Sequence, residues 1–378
     1  MMAEVQRAPN DPRPLDDPRI DLSARIRTKS YYLPNLRPYY NDWPDEMNPN
    51  YAQLKEAVDA RIKKIYSPKM AATLIDIDYA LLSCIWWPRC EYKRLEVAAF
   101  WFLWLFTWDD EIDQSTSELF INLERADRFR DETYHFGRYV LGVPNEETHK
   151  WQFDKNPPTV PVIASLADIG EEVKNFYNHD QIMCLVDEIY YFMDNQQREQ
   201  RRKLTGVIPT PAQYIETRLG TSAVQLTLAL NEYVDNQRIP RWIMNHSKMA
   251  DLWHETNMNM LLSNDMFSLR KEFKTGDIDS IIPILISNRN ITVQEAIADT
   301  CVELKKHIDL FDAAAKDLLV IVAERNPEWI GEVDRYIVGC RHNMMGNLLW
   351  SLTTTRYGLG KIERDIHGGM TVVVNHAA

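Results

Sequence analysis

Residues 97–113 read VAAFWFLWLFTWDDEID: the apolar run Val97 to Trp108 passes directly into Asp109-Asp110-Glu111-Ile112-Asp113. A helix needs about 20 apolar residues to cross a membrane, and this run of 12 falls short. It suits a helix buried in a protein, and it delivers four acids to its own end. On a helix Asp109 and Asp113 stand at i and i+4, so their carboxylates share a face about one turn apart. Oxygen donors at that spacing suit a hard cation such as Mg²⁺, which keeps waters and accepts a phosphate oxygen as a further ligand. Asp110 points roughly 100° away and is placed to orient the others. A solvated acidic helix end is the plain alternative. The context opposes it, because these acids sit at the mouth of a greasy helix rather than on a polar face.

A second stretch, residues 264–272, reads NDMFSLRKE. Asn264, Ser268 and Glu272 recur at i, i+4 and i+8, so their oxygens line one stripe over about 12 Å of helix. An amide, a hydroxyl and a carboxylate make an odd stripe for a core and an odd one for solvent. As three oxygen donors to one Mg²⁺ they make sense. Lys271 can bring a positive charge to the same anion. Requiring all of Asn264, Asp265, Ser268, Lys271 and Glu272 lowers the chance expectation to the order of 10⁻⁴.

Outward from these two stretches the text is helical nearly throughout. The periodicity predicts helices at 51–65, 68–84, 91–115, 118–140, 163–200, 211–234, 241–273, 281–289, 293–325 and 328–357. Thr210-Pro211-Ala212-Gln213 and Thr292 with Glu295 offer capping boxes. Eight of the 19 prolines lie in the first 49 residues, which argues against a regular helical start. Residues 1–50 are read as a Pro-rich arm, disordered in its early part. The Tyr- and Trp-rich part from Tyr31 to Pro49 is expected to strap onto the domain. The proline-rich interruption Gly142–Pro161 separates helical text of the same character, so residues 51–378 read as one α-helical domain. In Asp76-Ile77-Asp78-Tyr79 the acids read as ordinary helix residues.

Composition narrows the function. The 378 residues carry a net charge of −12, which repels nucleic acid and anionic membranes. An anionic small substrate would need local cations. Met1 to Ser30 is polar and charged, so no secretory signal is expected. Five cysteines without CxxC spacing suit reduced thiols and a cytoplasmic protein. The 11 Trp, 17 Tyr and 12 Phe need a use beyond ordinary packing.

The pair DDEID and NDMFSLRKE resembles the aspartate-rich motif and the N-D-x-x-S-x-x-K-E triad of microbial class I terpene synthases, especially fungal sesquiterpene cyclases. The resemblance spans about 300 residues, from the Trp86 region to Arg356-Tyr357, with the motifs in the family's order. It implies an all-α fold, a single helical bundle around a central active-site cavity, with both motifs facing each other and holding three Mg²⁺. Arg218, 46 residues before Asn264, stands at the family's pyrophosphate-sensing position. It lies in RLGTS, where Gly220 is expected to break the helix and free backbone carbonyls, with Thr221 and Ser222 at the linker and effector positions. Bacterial members often carry Asp where this chain has Thr221. The family's C-terminal Arg-Tyr pair matches Arg356-Tyr357. The DDEID form and the Pro-rich arm look most like filamentous-fungal synthases of the presilphiperfolanol group, which make tricyclic sesquiterpene alcohols.

This resemblance implies an enzyme, a terpene cyclase, whose substrate is farnesyl diphosphate. Breaking the allylic C–O bond puts charge on the leaving group, which Mg²⁺, Arg218, Lys271, Arg356 and the Tyr357 hydroxyl would stabilise. The carbocation needs a dry pocket with aromatic faces. Phe102, Leu105 and Phe106 share the stripe of Asp109, and Met260, Leu261 and Asn257 precede Asn264 in the same way. Trp350 stands where the family often places a pocket aromatic, and Trp86, Trp87 and Trp104 are further candidates. Trp101 and Trp108 cannot all face the same way as Phe102 and Phe106, so some are core. The segment Thr275–Ser280 and the tail after Gly358 are expected to close over bound diphosphate. A chain-elongating prenyl diphosphate synthase would carry a second aspartate-rich motif in place of NDMFSLRKE. An inactive helical scaffold is opposed by the intact ligand set. The protein is expected to act as a monomer or homodimer.

Overall fold

The computed structural model describes residues 17–26, 29–113, 117–275 and 277–374. The fold is all-α, with one two-stranded antiparallel sheet among the described residues. Helix α1 (Pro18–Ile26) lies within the arm read as non-helical; Pro18 stands at its first position, where a missing N–H costs nothing. Residues 1–16, where the disordered part of the arm was expected, lie outside the described residues. Strand β1 (Ser30–Leu33) pairs with β2 (Met370–Val373), Ser30 opposite Val373, so the arm and the C-terminal tail are stitched together. Tyr31, Tyr40 and Trp43 are buried, and the Trp43 ring lies 5.3 Å from Phe311. The strap expected from Tyr31 onward is thus seated on the bundle.

Helix α2 (Tyr51–Ile65) runs as read, but the stretch expected over 68–84 is two helices, α3 (Pro68–Ile77) and α4 (Tyr79–Trp86). Asp78 between them is left-handed (φ 65°) and caps α4, its carboxylate accepting from Leu81 N at 3.1 Å and the Tyr51 hydroxyl at 2.7 Å. The Asp78 that read as an ordinary helix acid is a corner residue, one of the few types that tolerate this conformation. Helix α5 (Tyr92–Asp113) carries the apolar run, followed by α6 (Glu118–Ile121) and α7 (Leu123–Val140), which divide the expected 118–140 element. The proline-rich interruption holds α8 (Glu146–Trp151).

Three further long readings also divide. The expected 163–200 element is α9 (Pro161–Ala164), α10 (Leu166–Phe176) and α11 (His179–Thr205). Asn178 and Gln181 open α11 as a reciprocal capping box, a start signal the periodic pattern overrode. The expected 211–234 element is α12 (Pro211–Thr221), α13 (Val224–Leu228) and α14 (Asn231–Val234). The 241–273 element is α15 (Arg241–Met244) and α16 (Ser247–Thr275). Helices α17 (Ile281–Arg289), α18 (Val293–Arg325) and α19 (Ile330–Ser351) follow, and both capping boxes read from the sequence form.

Helix α16 packs between α18 and α19, α19 crosses α4, and α5 lies against α2, α4 and α10. The α4–α19 crossing depends on Gly346: a Cβ there would meet Trp86 Cδ1 at 2.5 Å. Among the described residues no helix is long and apolar enough to cross a membrane.

Candidate active site

Helix α5 presents two aromatic faces. Trp101 and Trp104 meet at 4.8 Å, and Trp108 stacks on Phe129 at 5.3 Å while its indole N–H donates to Thr133 at 2.9 Å. These three are core, which removes Trp104 from the pocket candidates. On the other face Phe102 lies 4.8 Å from both Trp86 and Trp87, and Phe106 lies 5.5 Å from Tyr79 and from Trp350. Trp350 is 5.8 Å from Tyr357. Phe102, Phe106, Trp86, Trp87, Trp350 and Tyr357 therefore form one aromatic wall beneath the acids at the end of α5.

At that end Asp109 accepts a 2.6 Å hydrogen bond from Gln196 of α11. Burial first, and the neighbouring Asp110 charge second, push its carboxyl up to about 6, against the pull of Arg356 and Arg218. Asp110 is gripped by both Arg356 nitrogens at 2.9 and 2.8 Å, with Lys271 Nζ at 4.0 Å. Burial opposes its charge, but Arg356 and Lys271 hold the carboxyl below the usual range. The side chain of Asp113 lies outside the described residues.

The stripe on α16 faces these acids. Asn264 Oδ1 accepts from Arg218 at 2.9 Å, and its Nδ2 donates to the Tyr357 hydroxyl at 2.8 Å. Ser268 Oγ donates to Glu272 Oε1 at 2.6 Å. Burial, then the charges of Asp265 and Asp277, push the Glu272 carboxyl up to about 8. Asp265 turns away, accepting from Tyr214 at 2.7 Å and from Ile281 N at 2.8 Å, so it anchors α16 to α12 and α17. Burial and the Arg356 charge push the Lys271 ammonium down.

The break after Arg218 differs in detail from the reading. Gly220 is inside α12, and its lack of a side chain serves helix packing: a Cβ would lie 2.4 Å from Asn195 Cβ. The left-handed residue is Ala223 (φ 56°), where the chain turns into α13. The Leu219 carbonyl, rather than standing free, accepts from Asn257 Nδ2 at 2.7 Å and from Ser222 Oγ at 3.3 Å. Ser222 also donates to Asn257 Oδ1 at 2.7 Å.

Past the end of α19, Thr354 and Thr355 donate to the carbonyls of Ile77 and Asp76 at 3.0 and 2.8 Å. Trp350 Nε1 reaches the Ile77 and Asp78 carbonyls at 3.2 Å. The α3–α4 corner thus fixes the segment that carries Arg356, whose guanidinium lies 5.1 Å above the Phe106 ring. Arg270 donates to the Gly358 carbonyl at 3.2 Å, which ties the tail to α16. Of the loop expected to close, Gly276 lies outside the described residues; Asp277 and Asp279 pair with Lys203 and Arg202.

Hydrogen bonds, ion pairs and charge bring Asp109, Asp110, Arg218, Asn264, Ser268, Lys271, Glu272, Arg356 and Tyr357 into one cluster. Among the described residues no three His, Cys, Asp or Glu side chains converge as a metal cluster. The metal-capable donors are a mixed set, and two of its carboxyls, Asp109 and Glu272, are partly buried and raised, so that added positive charge would hold them ionised. That is the environment a hard divalent cation fits. Sequence reading missed Gln196, Glu199 and Lys203 of α11, which are buried although their type reads as surface. Their i, i+3, i+7 spacing was the available signal.

A family profile described as "Terpene synthase family 2, C-terminal metal binding" matches residues 101–309, which include both motifs. The sesquiterpene cyclase hepA of Aspergillus oryzae is 54% identical over 360 residues, covering 95% of this chain and 98% of that protein. A cucumene synthase variant superposes with a TM-score of 0.69 at 18% identity, covering 84% of this chain and 99% of its own. Germacradien-4-ol synthase from Streptomyces citricolor gives 0.67 at 18% identity, with coverages of 81% and 95%. At such identities the two structures speak for the fold alone.

Proposed function

This chain belongs to the terpene synthases of family 2 and is a terpene cyclase, and from that premise we propose that it is a Mg²⁺-dependent sesquiterpene synthase acting on farnesyl diphosphate. The observation that carries the reading is the chain Arg218–Asn264–Tyr357 beside the Asp110–Arg356 pair, which joins four stretches of sequence in one cluster. Three cationic side chains and a phenol there can receive a diphosphate, and the aromatic wall one turn deeper can receive its hydrocarbon.

Asp109 and Asp113 on one side, and Asn264, Ser268 and Glu272 on the other, would hold three Mg²⁺, which supply positive charge to the leaving diphosphate. Arg218, Lys271, Arg356 and Tyr357 add donors preorganised by their bonds to site residues. The allylic C–O bond breaks, its electron pair leaves with the diphosphate, and a carbocation remains. Phe102, Phe106 and Trp350 present ring faces to that cation and keep water out while it cyclises. Loss of a proton from carbon then yields a hydrocarbon, and capture of a water that gives up one of its protons yields an alcohol. Ser222 and Thr221 hold the α12 end from which Arg218 reaches the diphosphate. Residues 51–378 form the catalytic unit, and the part of the arm from Tyr31 to Pro49 is its strap. The five unpaired thiols support a cytoplasmic setting.

Incubating the purified protein with farnesyl diphosphate, with Mg²⁺ and then with chelator, tests this by gas chromatography–mass spectrometry. The expected result is a Mg²⁺-dependent C15 hydrocarbon or alcohol, lost in Asn264→Ala. Turnover of only the C10 or C20 diphosphate overturns the substrate, and silence with all three overturns the activity.

A further inference from the structure

Helix α11 supplies a link that none of the motifs contains. Glu199 is buried to 6% exposure and divides its carboxylate between two partners: Thr221 Oγ1 donates to Oε2 at 2.6 Å, and Lys203 Nζ lies 2.8 Å from Oε1. Thr221 is the last residue of α12, three positions after Arg218. Lys203 continues to Asp277 at 3.3 Å, in the segment that follows the metal-capable stripe of α16. One turn earlier on the same face, Gln196 holds Asp109. The stripe Gln196–Glu199–Lys203 thus touches the acidic end of α5, the end of α12 and the loop after α16.

The charge at position 199 is used. Burial opposes ionisation, but Lys203, Arg218 and Arg202 together hold the Glu199 carboxyl below its ordinary range. An ionised acid held inside a protein is costly unless its partners are fixed; here Thr221 ends the helix that carries Arg218, and Lys203 reaches the Asp277 loop. Thr221 is neutral and has no charge of its own to offer Arg218.

We propose that Glu199 is a positioning residue: through Thr221 it fixes the end of α12 and the direction of Arg218, and through Lys203 it fixes the Asp277 loop, so the grip on diphosphate depends on it. This rests on the reading of the Arg218, Asn264, Arg356 and Tyr357 cluster as a diphosphate site.

The test removes the carboxylate and then returns it from the other side of the bond. Glu199→Gln keeps the shape and an acceptor for Thr221 but loses the charge. Glu199→Gln combined with Thr221→Asp restores a carboxylate within the same pair. Each is measured for binding of inorganic pyrophosphate with Mg²⁺ by calorimetry, for kcat and KM with farnesyl diphosphate, and for melting temperature. Removing a partner that orients a ligating group commonly costs about 10–100-fold. The expected result is a loss of that size in pyrophosphate affinity and in kcat for Glu199→Gln, with most of it recovered in the double variant. Glu199→Asp, which keeps the charge one methylene short, should fall between, and it stands in where the double variant does not fold. Unchanged affinity and kcat in Glu199→Gln overturn the proposal. So does a loss that tracks the melting temperature and that neither carboxylate variant relieves. If wild-type protein binds pyrophosphate but turns over no prenyl diphosphate, the functional reading fails while the calorimetry still decides on Glu199.

Discussion

At the rim of the site Arg218, Asn264 and Tyr357 hold one another, as do Asp110 and Arg356, through hydrogen bonds of 2.8 to 2.9 Å. One turn deeper, Phe102, Phe106, Trp86, Trp87 and Trp350 meet at ring separations of 4.8 to 6.3 Å. The rim is specified group by group, and each member satisfies another that would otherwise be buried and unpaired. The floor is specified by volume and shape, because dispersion and ring quadrupoles act over many small contacts. Substitutions at the rim should therefore act through chemistry and charge. Those on the floor should act through the contour offered to the carbocation.

The largest expected effect separates the two. Asn264→Ala or Glu272→Ala should lower turnover of farnesyl diphosphate by roughly 10²–10³-fold, the scale of losing one preorganised stabilising group. Phe106→Leu keeps an apolar side chain and should stay within about tenfold of wild type while redistributing the products, since a cation–π contact is worth about 0.5–2 kcal/mol. Gas chromatography of the extracts reads both. Equal losses at the two positions, or an unaltered product mixture in Phe106→Leu, would erase the distinction.

Stability should show the same contrast on a smaller scale. Arg356→Met leaves the Asp110 carboxylate largely buried without its main partner, a change that typically costs 3–5 kcal/mol. Asp110 is 21% exposed, so water recovers part of that and a loss of about 3 kcal/mol is expected. Phe106→Leu should cost about 1 kcal/mol, as near-isosteric apolar exchanges do. Urea denaturation of the metal-free protein measures both. A smaller loss in Arg356→Met than in Phe106→Leu would mean that the pair contributes little.

What could be read from the sequence divides along the same line. The rim was legible because i, i+4 and i+8 spacing carries oxygen donors to one face whatever the surroundings, so Asn264, Ser268 and Glu272 needed no tertiary information. Trp104 was not legible, because an aromatic reads the same whether it meets Trp101 in the core or a pocket. The corner at Asp78 was hidden because the bonds that hold it come from distant parts of the chain, the Tyr51 hydroxyl on its carboxylate and Trp350 and Thr354 on the Ile77 and Asp78 carbonyls. Glu199 and Lys203 were hidden for the opposite reason: their type says surface, and only the fold shows that they are enclosed. The Gly220 reading failed on cause, since that glycine relieves a clash with Asn195 while the turn itself is made at Ala223.

The rim's raised carboxyls predict a pH dependence that the floor cannot have. Asp109 and Glu272 have carboxyls raised by burial to about 6 and about 8, from ordinary values of 3.8 and 4.5. A carboxyl raised on folding leaves the native state with more bound protons than the unfolded chain, so stability falls as pH rises through that window. The melting temperature of metal-free protein should decline between about pH 4 and 8. Glu272→Gln should flatten the upper part and Asp109→Asn the lower. Mg²⁺ with pyrophosphate should reduce the decline, because it binds the ionised form and stabilises the native state by mass action, leaving the share of Glu188 and Asp235, which burial raises to about 7. A flat metal-free profile would show that these carboxyls are already balanced by the neighbouring cations.

The smallest expected effect concerns the junction where the rim is aimed. Ala223 is left-handed with φ 56°, a conformation that costs a non-glycine residue roughly 1 kcal/mol. Its methyl group is buried, and burying one such carbon returns about 0.8 kcal/mol. Glycine at this position would relieve the backbone cost but forfeit the methyl contact and widen the unfolded ensemble by about 0.4–1 kcal/mol. These effects oppose one another, so Ala223→Gly should change stability by no more than about 1 kcal/mol, toward a loss. Activity is the sharper reading. The α12 end is also held by Thr221 on Glu199 and by Ser222 on Asn257. Those bonds should keep Arg218 aimed in Ala223→Gly, leaving kcat within about twofold of wild type. A larger fall in kcat at unchanged melting temperature would place the aim of Arg218 in the Ala223 backbone rather than in the side-chain bonds around it.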